Sequence, residues 1–346
     1  MRIGNNPHKD EAIPQSDYLH QVVIPVYIPH QKHYFKDSLR ILQLCLHSLL
    51  NTVHSKTYIT VVNNGSCKLV IEYLDKVYQD GQIQELIHTE NIGKLNAVLK
   101  GLAGNNIELV TIADADVLFL ENWQEATTKV FRELPKAGVV GIVPQFNMFK
   151  NKSGNIIFNN LFNKKLKFIP IRSLEGLIRF YDSIGWDRSY NKDYLKYGLG
   201  LEHNEVKVYV GSGHFVATYK KRMFQEMKSY LNYKLGGDSE NYLDTLPLHY
   251  DYWRVTTYDN YAYHMGNVLE DWMSKIAPIK NNSTAIDSGF KQHKRISAVV
   301  VLLKNKLFPM FLASELFSRI FYRWKKLPKA MINDYNSLKE KQKLKK

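Results

Sequence analysis

Apolar and polar positions alternate in blocks over the first 145 residues, and the spacing inside each block tells strand from helix. Val22-Val-Ile-Pro-Val-Tyr27 is a continuous apolar run of strand length, with Pro25 near its end where a missing backbone donor costs least. Asp37 can cap a helix whose apolar positions Leu39, Leu42, Leu46, Leu49 and Val53 follow a helical spacing. A strand over Tyr58–Val62, a loop over 63–66 and a helix near Lys68 to Tyr78 follow, then a short strand around Leu86-Ile87. Gly93 opens a helix to about Leu102. Leu109–Ala113 is the next apolar run, followed by a helix from about Asn122 to Leu134 and a strand Val139–Val143. Such alternation with fully apolar strands predicts an α/β fold, parallel strands covered by helices on both faces.

Beyond Phe146 the pattern degrades into a polar, aromatic stretch holding Tyr181, Trp186, Tyr190, Tyr194 and Tyr197. Order returns at Val206–Val210, at a helix near Lys221 to Lys228 and at a strand-like Tyr258–His264. Residues 146–270 read as completing the same domain. The expected organisation is an N-terminal extension over 1–20, a catalytic domain over 21–290 divided at 145/146, and a tail over 291–346.

The Leu109–Ala113 run breaks into Asp114-Ala-Asp116 before apolar chain resumes. An unpaired buried carboxylate costs several kcal/mol or protonates. Two acids one residue apart at a strand end can face one point, and a divalent cation that also holds phosphates is their natural partner. The plainer alternative is a helix-capping acid beside a surface acid. Asn63, Asn64 and Asn91 fall at neighbouring strand ends, where sheets of this kind bind ligands. Asp238 follows Gly236-Gly237 and His264 ends a run of aromatics. Taken alone, the first reads as an ordinary helix cap and the second as a satisfied histidine. Together with the acid pair they supply metal ligands and a carboxylate for proton abstraction.

Residues 20–270 resemble a family 2 glycosyltransferase of the GT-A fold. The resemblance is carried by Val-Ile-Pro-Val-Tyr at 23–27, Val-Val-Asn-Asn-Gly-Ser at 61–66, Asn-Ile-Gly-Lys-Leu-Asn-Ala at 91–97 and Asp-Ala-Asp at 114–116. Gly-Ser-Gly-His-Phe-Val at 211–216, Gly-Gly-Asp-Ser-Glu at 236–240 and Tyr-His-Met-Gly at 263–266 complete it. It implies a mostly parallel central sheet with a Rossmann-like nucleotide half (21–145) and an acceptor half (146–290). It also implies inverting transfer of a sugar from a nucleoside diphosphate sugar, a UDP-sugar first, to a hydroxyl of a glycan or lipid-linked acceptor in surface polysaccharide or glycolipid assembly. By the same resemblance Asp116, Asp114 and His264 hold Mn²⁺ or Mg²⁺, Asp238 is the base with Glu240 in reserve, and Pro25, Tyr27, Asn63, Asn91, Lys94 and Asp114 line the nucleotide pocket. Asn63 departs from the family's usual Asp, and Gly237 from its Glu.

Charge changes the picture only at the end of the chain. The net charge is +14, yet residues 291–346 hold 15 Lys or Arg against Glu315, Asp334 and Glu340, which leaves about +2 for everything before them. Ile296–Trp324 is apolar but interrupted by Lys304, Lys306, Pro309, Glu315, Arg319 and Arg323, so no spanning helix is expected. Amphipathic helices broken at Pro309 suit either an anionic membrane surface or packing on the catalytic domain. Nucleic acid is not an expected partner, because the bulk of the chain is nearly neutral and carries no such motif. Cys45 and Cys67 have no metal or disulfide spacing, and the first 20 residues lack an apolar signal core, so a cytoplasmic protein is expected, peripheral on the inner membrane face under the first of the tail's two readings. Aromatics near 180–197 and Tyr250, Tyr252 and Trp253 either shape an acceptor site or are core. Two other readings compete: a nucleotidyltransferase, which should carry a Gly-rich basic loop where this chain has Tyr27-Ile-Pro-His-Gln, and a silent glycan- or membrane-binding protein on the same scaffold.

Overall fold

The computed structural model describes residues 4, 6, 8–12, 16–226, 230–232, 234, 239–276 and 289–335. Its first half follows the apolar blocks. Strand β1 (His20–Val26), helix α1 (Ser38–Thr52), β2 (Thr57–Asn64), α2 (Lys68–Gln79), β3 (Glu85–Thr89), α3 (Lys94–Leu102) and β4 (Leu109–Ala113) come in strict alternation. A short β5 (Val117–Phe119), α4 (Trp123–Glu133) and β6 (Ala137–Gly141) follow. β3, β2, β1 and β4 lie side by side in parallel. β1 is buried along its whole length, which is why its sequence shows no polar alternation.

The second half extends the same sheet by a different rule. After α5 (Gly154–Asn159), β7 (Leu166–Pro170) and α6 (Leu174–Ser183), an antiparallel β8 (Tyr197–His203) and β9 (Val206–Val210) lead to β10 (Val216–Lys220). β10 inserts antiparallel between β4 and β6, so both halves share one ten-stranded sheet of mixed direction in the order β3-β2-β1-β4-β10-β6-β11-β9-β8-β7. Here β11 is Trp253–Thr257, preceded by α7 (Ser239–Thr245). β12 (Ala262–His264) leaves that sheet and pairs antiparallel with β5, followed by α8 (Asp271–Lys275).

Two expectations need correcting, and one open alternative narrows. Of the two readings of the aromatics, core fits Tyr181, Tyr190, Tyr194, Tyr250 and Tyr252, which are all buried, with Phe146 stacked on Tyr181 at 3.7 Å. These rings supply the packing that the degraded pattern of this region withholds from aliphatic side chains. Asp37 precedes α1 but its carboxylate does not cap the helix; it accepts from the Leu269 N–H at 3.2 Å. Pro309 does not break the tail. α9 (Ala298–Leu302) passes through a π-helical turn at Leu303–Leu307 into α10 (Phe308–Leu312) without leaving helical geometry. A π turn relaxes the hydrogen-bond ladder just ahead of the proline, where its ring and missing donor would otherwise clash. The break comes instead at the extended Ser314, before α11 (Glu315–Trp324) and α12 (Ile332–Tyr335).

Candidate active site

A cleft of about 360 Å³ opens at the carboxyl ends of β1, β2 and β4. One wall is the end of β1, Pro25 to Ile28. The other is made by Asn64, Asn91, Lys94 and the turn Asp114-Ala115-Asp116. Tyr34 and Phe35 stand at the rim with Tyr27, and the Phe35 ring meets Tyr27 and Tyr34 edge-on at 6.0 and 5.1 Å. The cleft therefore has an aromatic end and a charged end, which suits a ligand with a planar ring at one end and charge at the other.

The turn geometry of the loops follows from two glycines. Gly65 has φ +85°, and a Cβ there would lie 2.7 Å from the Asn91 backbone nitrogen, so the β2 loop and the chain before α3 touch backbone to backbone. Gly266 has φ +69°, and a Cβ there would meet the Ser183 carbonyl at 2.9 Å, so the chain after β12 packs closely against the end of α6.

Asp114 and Asp116 do not lie on a strand, and so do not share a face by strand alternation. β4 ends at Ala113, and both acids occupy the turn before β5. The turn is held from both sides: the Asp114 N–H donates to the Phe215 carbonyl at 2.8 Å, and the Met265 N–H donates to the Asp116 carbonyl at 2.8 Å. Asp114 Oδ1 lies 2.6 Å from Lys94 Nζ, an ion pair by distance that lacks hydrogen-bond alignment. Asp116 Oδ2 lies 3.3 Å from His264 Nε2, while its Oδ1 is sealed from solvent with no hydrogen-bond partner among the described residues. Burial raises the Asp116 carboxyl above the usual carboxylate range; His264 pulls it down, Asp114 pushes it up and Lys94 pulls it down again. The His264 ring is fixed by a 2.9 Å contact of Nδ1 with Ser183 Oγ and by edge contacts with Phe180 and Phe215. No three His, Cys, Asp or Glu side chains among the described residues converge closely enough to hold a metal unaided. A cation that keeps one or two protein carboxylates and takes its other ligands from phosphates fits this arrangement.

Of the pocket residues read from the sequence, Pro25, Tyr27, Asn91, Lys94, Asp114 and Asp116 come together at the cleft. Asn63 does not. Its amide contacts His88 Nδ1 at 2.9 Å and accepts from the Ser66 N–H at 3.0 Å, and it is buried. Its neighbour Asn64, pointing to the opposite face of β2 as strand geometry requires, faces the cleft and accepts from the Ile92 N–H at 2.9 Å. Asp238 lies outside the described residues, as does the side chain of Glu240, whose backbone is in α7.

Sequence reading missed Asn96. From within α3 its amide donates to the carbonyls of Ile92 (2.7 Å) and Leu231 (2.8 Å) and accepts from the Leu231 N–H at 2.7 Å. The Lys94 N–H donates to the Lys234 carbonyl at 2.9 Å, which holds Lys234 at the cleft wall. An asparagine between buried Leu95 and Ala97 was the available signal, since it is a poor helix former at an inward position. Also missed was a buried cluster behind α7: Arg254, 1% exposed, donates to Asp244 Oδ1 at 2.5 Å and to the Ser212 carbonyl. It ties the helix that follows Asp238 to the central sheet.

A family model described as Glycosyl transferase family 2 matches residues 22–196, half of the chain. No curated protein matches. Among solved structures, S. aureus TarS 1–349 aligns over 71% of this chain and 60% of its own, with 13% identity and a TM-score of 0.41. The structure of that protein in complex with UDP-GlcNAc aligns over 92% and 70%, with 11% identity and a TM-score of 0.42. Mannosyltransferase PcManGT from Pyrobaculum calidifontis, in complex with GDP-Man and Mn²⁺, aligns over 94% and 82%, with 13% identity and a TM-score of 0.44.

Proposed function

The chain belongs to glycosyl transferase family 2, and from that premise we propose a metal-dependent, inverting transfer of a sugar from a nucleoside diphosphate donor bound in the cleft. The observation that carries it is the sealed, unpartnered Oδ1 of Asp116 beside Asp114 at the charged end. A carboxylate oxygen without solvent or partner is costly unless a ligand supplies the partner. Mn²⁺ or Mg²⁺ bound there would offset the charge that grows on the departing diphosphate.

The protein's own residues set the rest. Tyr27, Tyr34 and Phe35 offer ring faces and edges to a nucleobase. Asn64 and Asn91 bring polar groups to the cleft wall between the two ends. Lys94, already 2.6 Å from Asp114, is placed to share its charge between that carboxylate and a phosphate. His264, held by Ser183, keeps the Asp116 carboxylate aimed at the cleft. Asp238 serves as the base that takes the acceptor proton, with Glu240 as the alternative; α7, which starts one residue after Asp238, is anchored through Asp244 and Arg254. A single attack from the face opposite the diphosphate inverts the anomeric carbon. The acceptor is a glycan or lipid-linked hydroxyl of surface polysaccharide or glycolipid assembly, and a UDP-sugar is the first donor to try.

The test is calorimetric titration of UDP, GDP and dTDP with and without Mn²⁺. One diphosphate should bind, and more tightly with metal. Asp116→Asn should lose the metal-dependent gain while keeping the metal-free affinity. An equal Mn²⁺ effect in the parent and in Asp116→Asn removes the metal assignment.

A further inference from the structure

The C-terminal helices carry a surface for which the transfer reaction has no use. Their inner face is fastened to the acceptor half. Lys304 Nζ reaches Asp251 Oδ2 at 2.8 Å, Asn305 Oδ1 accepts from the Asn155 N–H at 3.1 Å, and Phe321 and Tyr322 are buried. Lys325 is buried too, its ammonium donating to the carbonyls of Leu161 and Asn163 at 2.7 and 3.1 Å. A Cβ on Gly154 would come within 2.2 Å of the Lys304 carbonyl, so the α5 backbone itself abuts the tail. The helices are thus a fixed part of the molecule, and what their outer face shows to solvent is a property of the folded protein.

That outer face is apolar. On α11, Leu316, Ile320 and Trp324 recur every fourth residue and are 65%, 52% and 46% exposed. On the preceding helical run Leu303, Leu307 and Met310 are exposed as well. The segments are joined through rings: Phe311 meets Phe317 at 3.7 Å, and Trp324 meets the exposed Phe162 at 5.6 Å. Of the 20 large hydrophobic side chains exposed among the described residues, ten lie between Val299 and Trp324. Scattered exposed apolar residues are ordinary, but half of them gathered on one 26-residue segment mark a docking surface.

Charge identifies the occupant. Exposed Lys306, Arg319, Arg323, Lys326 and Lys329 border the ridge. Between Val299 and Trp324 the sole acid is Glu315, and it is already paired with Arg319 at 2.7 Å. We infer that this face docks on the surface of an anionic phospholipid bilayer, its apolar ridge at the headgroup–acyl boundary and its cationic rim among the lipid phosphates. No helix among the described residues is long and apolar enough to cross a membrane, so the helices lie in the plane of the interface. A second copy of the chain fits this face less well, because a two-fold contact sets the cationic rim against itself.

The inference is tested by sedimenting the full chain with vesicles of phosphatidylcholine alone and with about 30% phosphatidylglycerol. The protein should bind the anionic vesicles at least roughly tenfold more tightly than the neutral ones. Ile320→Ser with Trp324→Ser, and separately Arg323→Glu with Lys326→Glu, should each weaken binding to anionic vesicles by roughly tenfold or more. UDP affinity should stay at the parent value in both, which shows an intact cleft and keeps this result separate from the transfer reading. Parent and variants that sediment equally overturn the inference. So does a ridge variant that changes only self-association in analytical ultracentrifugation without lipid, which would assign the face to a second copy.

Discussion

Asp116 and Asp251 are acids at opposite ends of the central sheet, and their surroundings could hardly differ more. Asp251, just before β11, takes Lys136 and Lys304 on Oδ2 at 2.8 Å each and is approached by the amides of Asn159 and Asn155 at 3.4 and 3.5 Å. Burial alone would raise its carboxyl, but the two ammonium groups outweigh burial and hold it below the usual range. Asp116 shows the opposite balance: burial wins, the carboxyl is raised, and one oxygen is sealed without a partner among the described residues. One acid is complete within the protein. The other keeps one oxygen that no described residue satisfies, the place the proposed ligand would fill. On the proposed function, the difference separates a carboxylate that holds the fold from one kept for a ligand, although both occupy polar breaks in apolar sequence.

The same substitution at the two positions sharpens this contrast. Asp116→Asn should lower metal-dependent donor turnover by about 10²–10³-fold, because it weakens the hold on the cation that would offset the negative charge developing on the diphosphate. Its unfolding free energy should hold or rise slightly, since a neutral amide is cheaper to bury than a carboxylate with one oxygen sealed and unsatisfied. Asp251→Asn should do the reverse. It leaves Lys304 without its carboxylate between α5 and the tail, and should cost about 3 kcal/mol of stability, the low end for a broken buried pair because Lys136 can turn to water. The protein that remains folded should bind nucleotide as the parent does. Urea midpoints and Mn²⁺-dependent turnover measured on both variants decide the matter; a stability loss at position 116 with none at 251 would break the distinction.

How much of this could be read in the chain depends on which physical rule each region obeys. β1, β2 and β4 are buried on both faces and separated by amphipathic helices, so local periodicity reports them almost to the residue. The second half is held by rings such as Phe146 on Tyr181 and by antiparallel strands reached across long connections, and neither leaves a periodic trace. The Asn63-Asn64 pair shows the limit within a motif. The sequence places two amides at the strand end, but only the pleat decides that Asn64 faces the cleft while Asn63 fastens the loop. The Asp244–Arg254 pair joins residues ten apart through a helix and a strand of unrelated direction, and nothing local announces it. For the tail, packing on the domain and an apolar outer face are both present, because the segment carries apolar side chains on its buried and its exposed faces alike.

A smaller effect extends the contrast to a third buried titratable group. His20, at the start of β1, is fully enclosed; its Nδ1 accepts from the Gln124 amide at 3.1 Å and its Nε2 contacts Thr111 Oγ1 at 2.7 Å. Both nitrogens have partners, so by the rule drawn from Asp251 this histidine holds structure and binds nothing. Burial, with His54 nearby, lowers its pKa to about 3. The folded chain therefore keeps the ring neutral, while the unfolded chain takes up a proton below about pH 6.5, so stability is lost as pH falls through that value. Between pH 7 and pH 5 the loss from this residue is about 2 kcal/mol at 1.36 kcal/mol per unit. Gln at position 20 can serve the same two partners and does not titrate. His20→Gln should therefore have a flatter profile of unfolding free energy over that interval, with its value at pH 7 within about 1 kcal/mol of the parent. A variant as acid-sensitive as the parent would mean that His20 is not the neutral, fully partnered group its contacts describe.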